Sequence, residues 1–169
     1  FGMLVDAARR YGVRDVEAIL GSGASALTRF ANNAIHQNVA ERNDTVSVRV
    51  LLDGRTARAS TNRSGRESLE RVVEEAVALA RLQQPDPDLP PLAGPEPVTP
   101  VSRWFETTAR ARPEDRARAV AEAIAVVEEA GQTAAGICST AESAFAVYNT
   151  RGVAAGHTET MAQFSITAM

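Results

Sequence analysis

Two histidines, one cysteine and a short run of amides carry most of the chemistry this sequence could perform. His157-Thr158-Glu159 places two metal-ligating side chains two residues apart on what reads as a strand, where both face one side. Zinc needs three or four ligands, and no His-Glu-x-x-His spacing is present, so no metal site is assigned. His157, following Gly156, then reads as an ordinary strand residue. Cys138 could be drawn as a nucleophile with His157 as its base. Its small and apolar neighbours instead suggest a buried structural thiol. Gly21-Ser22-Gly23 has no following helix to complete a phosphate cradle and reads as a turn.

The informative polar cluster is Thr28-Arg-Phe-Ala-Asn-Asn-Ala-Ile-His-Gln-Asn38, around one predicted hairpin. Two readings stay open. One is turn chemistry with a solvated strand face. The other is a peptide-contacting edge, since amides and guanidinium suit backbone carbonyls and carboxylates. Arg29, Asn32, Asn33 and His36 are the candidate substrate-facing residues on that second reading. Trp104-Phe105 reads as a local packing anchor.

The elements that must position these residues come from a chain of 169 residues, 44% hydrophobic and 23% charged, with net charge -3. That composition supports a folded core and argues against disorder. No apolar run reaches about 18 residues, so no transmembrane helix is expected. All 18 basic residues are arginine, yet they form no block, and the acidic balance argues against nucleic-acid binding. A single cysteine cannot form an internal disulfide, which points to a reducing compartment, and no export signal is visible. Starting on Phe1 and closing on what reads as a shortened strand, Phe164–Met169, the chain is expected to be a fragment.

The first stretch, Met3–Tyr11, reads as a short amphipathic helix stopped by Gly12. Strands are expected at 16–20, 26–30, 34–40, 45–52 and 55–61, with turns at Asn32-Asn33 and Asp53-Gly54. Ser64 and Glu67 fit a capping box for a helix whose stripe is Leu69, Val72, Val73, Ala76, Val77 and Ala80. Pro85 ends it. Seven of the eight prolines fall between 85 and 100, giving either a free linker or an ordered strap. Pro113 opens a second helix with Ala117, Val120, Ala121, Ile124 and Val127 as its stripe, closed by Gly131. Strands at 134–138 and 143–148, a turn at 149–152 and further strand follow. The predicted class is α+β: an antiparallel meander packed on helices in two layers, a Pro-rich linker, then a second helix-plus-antiparallel-sheet unit. The expected domains are 1–84, a linker or strap at 85–112, and a truncated start of a central domain at 113–169.

The motif order Thr28-Arg-Phe-Ala-Asn-Asn-Ala-Ile-His-Gln37, Val46-Ser-Val-Arg-Val50, Gly54–Asn62 and Ala76–Arg81 resembles the amino-terminal part of the TldD/PmbA family. Tyr148-Asn-Thr-Arg-Gly-Val153 is similar to the Asn-x-x-Gly hairpin of that family's middle region. The resemblance implies a zinc metallopeptidase acting on peptides or unfolded chains, once described as a modulator of DNA gyrase. It also implies a cytoplasmic assembly in which two homologous subunits, TldD-like and PmbA/TldE-like, enclose a chamber. The family's His-Glu-x-x-x-His zinc helix belongs to its carboxy-terminal region, and nothing in residues 1–169 matches it. This fragment is therefore expected to bind no zinc and to be inactive alone, forming chamber wall and subunit interface. The alternative is a catalytically inactive PmbA/TldE-like partner or interaction module, towards which Arg29-x-x-Asn32 leans.

Overall fold

The computed structural model describes residues 1–169. In chain order the elements are α1 (Gly2–Arg9), β1 (Asp15–Ala31), β2 (Ala34–Leu52), β3 (Arg55–Thr61), α2 (Arg66–Leu82), α3 (Glu106–Ala109), α4 (Pro113–Glu129), β4 (Ala134–Asn149) and β5 (Ala154–Ala168). One antiparallel sheet runs β3-β2-β1-β4-β5, and the helices complete an α+β fold. By spatial clustering the chain forms two compact units: 1–22, 43–101 and 144–157 in the first, the remaining residues in the second.

In the first unit, Val46, Val48 and Val50 alternate inwards along β2, as a half-buried strand requires. Two residues at positive φ, Asp53 (51°) and Gly54 (71°), close the hairpin to β3 and set the pairs Val48↔Ala59 and Val50↔Ala57. All six residues of the α2 stripe are buried, and they share one core with Leu4, Ala7 and Ala8 of α1 and Val16 and Ala18 of β1. Gly12, at φ 81°, ends the α1 region in the left-handed conformation that glycine adopts without steric penalty. The second unit has a smaller core of Phe30, Val120, Ile124, Val127 and Ala134, with Cys138 packed against it.

Several local expectations change. Gly21-Ser22-Gly23 is not a turn: β1 runs through it, joining the strands expected at 16–20 and 26–30. Neither glycine has a positive φ, and a Cβ on Gly23 would lie 3.4 Å from the Glu142 carbonyl oxygen, so a small residue here serves close strand approach. The pairs expected at 34–40 and 45–52, and at 134–138 and 143–148, likewise merge into β2 and β4. The Ser64–Glu67 capping box does not form. Gly65 is the N-cap of α2 without a side-chain cap, and Glu67 pairs with Arg71 at 2.9 Å instead.

In α4 the stripe shifts: Ala121 is exposed, whereas Arg116 is buried. Asp115 caps this helix, its carboxylate accepting the Arg112 N–H at 3.0 Å. That bond, with the nearby arginines, holds the Asp115 carboxyl below the usual range.

Residues 85–105 contain no helix or strand, yet they are tied down as a strap. Asp86 N–H donates to Gly54 O at 2.7 Å, Leu92 is 3% exposed, and Asn149 Nδ2 donates to Ala93 O at 2.9 Å. Farther along, Arg103 forms a single parallel bridge with Glu159 of β5. No helix is long and apolar enough to cross a membrane.

Candidate functional site

The polar hairpin between β1 and β2 turns on Asn32 (φ 51°) and Asn33 (φ 57°), a conformation asparagine tolerates better than other side-chain-bearing residues. Thr28, fully buried, donates from Oγ1 to Asn38 Oδ1 at 2.5 Å. Arg29 is exposed and donates from Nη1 to Gln37 Oε1 at 3.2 Å. Asn33 faces the start of β4: its Nδ2 donates to Gln132 O at 3.1 Å, and its Oδ1 accepts from Ala134 N–H at 2.7 Å. Asn32 and His36 are exposed. The hairpin thus gathers the four candidate residues in one segment but gives them different work. Asn33 is a tether, while Arg29, Asn32 and His36 are accessible to a ligand.

A groove of about 330 Å³ lies in the same unit, lined among others by Ser25, Glu41, Arg42, Ala111, Thr140 and Glu142. Arg116, which is 4% exposed, is hydrogen-bonded to two of the residues that line it. Arg116 Nη1 donates to Ala111 O at 3.2 Å and to Thr140 Oγ1 at 3.1 Å. Burial pushes the Cys138 thiol up, and the charge of Arg116 opposes that rise. Sequence reasoning missed Arg116, although it lies four residues before Val120 and so extends the α4 stripe by one turn.

The other sequence candidates make contacts of their own. The His157 ring lies beside Phe145 (centroids 6.1 Å), and Glu159 pairs with Arg103 at 3.5 Å. No three His, Cys, Asp or Glu side chains come together in a way that could hold a metal ion. Trp104 Nε1 donates to Glu106 Oε2 at 3.0 Å, a local contact. The Asn149 turn is structural. Its Oδ1 accepts from Arg151 N–H (2.9 Å) and Val153 N–H (3.1 Å), and its Nδ2 holds the strap.

Together the sheet order and helix placement define an α+β domain of a kind seen in solved structures. TldE from Thermococcus kodakarensis superposes with TM-score 0.86 at 14% identity, covering 98% of this chain and 42% of that one. A candidate modulator of a DNA gyrase from Thermotoga maritima gives 0.83 at 16% identity, covering 95% and 37%. Another from Bacteroides thetaiotaomicron gives 0.81 at 19%, covering 98% and 39%. The chain therefore spans about two fifths of the length of each (42%, 37% and 39%). No curated protein sequence matches it. Residues 16–80 match the family model described as PmbA/TldA metallopeptidase domain 1, in agreement with the family resemblance of the motif order.

Proposed function

We propose that this chain is the non-catalytic amino-terminal portion of a TldD/PmbA-type metallopeptidase that hydrolyses peptides or unfolded chains. The match of residues 16–80 to that family's first domain carries the reading. In it, the chain forms chamber wall and subunit interface, and Arg29, Asn32 and His36 present polar groups to an extended substrate. Zinc, held by residues outside 1–169, would polarise the attacking water. The assembly with a homologous subunit is cytoplasmic.

The edge strand supports the interface role. Met161, Phe164, Ile166 and Met169 are all at least 40% exposed. From Thr160 to Met169 there is no charge and no proline of the kind that guards a free edge.

The test is proteolysis of an unfolded peptide in the presence of zinc. The full-length protein with its homologous subunit should cleave, and the 169-residue chain alone should not. Cleavage by residues 1–169 alone would sink this reading. An inactive full-length chain that still activates its homologous subunit would make it the non-catalytic partner.

A further inference from the structure

β2 is far longer than the strand on its outer side. β3 pairs with it only from Val46 to Leu52, and no other strand lies beyond it in the sheet. The first half, Ala34–Arg42, therefore has β1 on one side and no strand on the other. Every residue of this stretch is exposed except Val39, which is half-buried. None of its backbone groups bonds outside the sheet ladder. In an antiparallel strand every second residue turns its N–H and C=O away from its neighbour, so a row of donors and acceptors faces outwards here. Proteins blunt such an edge with charges or proline, yet Ala34–Ala40 holds no Asp, Glu, Lys, Arg or Pro.

An open edge is matched by extended backbone, and the side chains along it select the sequence. Ile35, Gln37, Val39 and Glu41 share one face; His36, Asn38, Ala40 and Arg42 share the other. Ile35 is 37% exposed, and Val39 lines a trough of about 240 Å³ with Leu27, Ala141 and Met161. Apolar side chains placed opposite Ile35 and Val39 therefore leave water. At the far end, Glu41 and Arg42 lie on opposite faces and join none of the chain's ion pairs. Each is free to meet an opposite charge across the edge. A second copy does not supply one. Two copies paired antiparallel along Ala34–Arg42 set Glu41 against Ile35 and Arg42 against Ala34, which matches neither charge.

We infer that Ala34–Arg42 is a docking edge for an extended peptide. The peptide adds an antiparallel strand, the more stable pairing, with apolar residues opposite Ile35 and Val39, a basic residue opposite Glu41 and an acidic one opposite Arg42. That this peptide is a substrate rests on the proposed peptidase function; the pairing rests on the open edge alone.

The probe is a labelled peptide, Asp-Lys-Ala-Val-Thr-Thr-Thr-Val, capped at both ends, whose residues fall in order opposite Arg42 back to Ile35. Its binding to the full-length protein is read by fluorescence anisotropy. Two further forms carry N-methyl groups on alternate residues. One form should bind about tenfold more weakly and the other almost as well as the parent, because only every second amide faces the edge. Arg42→Glu, at an exposed position, should weaken binding about threefold, and exchanging the peptide's Asp for Lys should restore it.

No binding overturns the docking edge, as do equal effects of the two N-methylated forms or an Arg42→Glu variant that the exchanged peptide does not rescue. Self-association that Ile35→Lys abolishes, with no peptide bound, gives the edge to a second copy and overturns it too. Peptide bound in this way but not cleaved in the presence of zinc keeps the docking edge and removes the peptidase. Cleavage of unfolded peptides without edge pairing does the reverse.

Discussion

Asn33 stands at φ 57° and spends its whole amide on the start of β4, donating to Gln132 O and accepting from Ala134 N–H. Conformation and tethering are separable there. Asn33→Gly keeps the left-handed turn and loses only the side-chain bonds, so chemical denaturation should show a loss of about 1–2 kcal/mol. Asn33→Ala loses the bonds and also strains the turn, and should cost about 1 kcal/mol more. Equal midpoints for the two variants would show that φ contributes nothing. The residue types were legible as hairpin chemistry, because asparagine's tolerance of positive φ is a local property. The division of labour was not, since Gln132 lies 99 positions away. Arg116 is the sharper case. Its spacing from Val120 places it on the α4 stripe, unlike the exposed Arg118, but burial of a charge is decided by what packs over it.

At the scale of elements, local periodicity was a faithful guide where the partner face is uniform. The α2 stripe and the β2–β3 hairpin were read as they stand, since each is written in a repeat of 3.6 or 2 with turn residues at its ends. It failed where glycine has two meanings. Gly21 and Gly23 suggest a turn, but in β1 they lie within a long strand whose neighbour approaches closely at Gly23.

Gly136 in β4 makes the same point with a measurable consequence. A Cβ there would collide with the Ser165 carbonyl oxygen of β5 and lie 2.7 Å from Phe30 Cζ. Backbone cannot move aside as a flexible side chain can, so Gly136→Ala should destabilise by roughly 3 kcal/mol. It should also loosen the Phe30–Phe164 contact, now at 6.0 Å between ring centroids. Thermal unfolding checks the first effect and aromatic chemical shifts the second; a variant as stable as the parent would contradict the close approach of β4 and β5.

On the scale of the whole molecule, the proline segment shows how distant parts of the chain hold one another. Asn149, 56 residues from Ala93, closes its own turn with one amide atom and pins the strap with the other. Asn149→Ala should therefore release residues around 93, giving several-fold faster limited proteolysis within 85–100 before any global unfolding, because local opening is governed by local contacts. Unchanged cleavage there would mean that Leu92 burial alone retains the strap.

By itself the sequence determined the α+β class, three of the four helices with the buried stripe of α2, the two asparagine- and glycine-bearing hairpins, and the motif order that resembles the TldD/PmbA family, whose first-domain model matches residues 16–80. These are all written in contacts of short sequence separation. Only the tertiary structure decided that short predicted strands join into long ones, that the prolines form a tied strap, and that Arg116 is buried with its Nε unpartnered. The physical reason is common to all three. Each outcome depends on which backbone or side chain from elsewhere in the chain comes within a few ångströms, and that proximity is a property of the fold, not of any local run of residues.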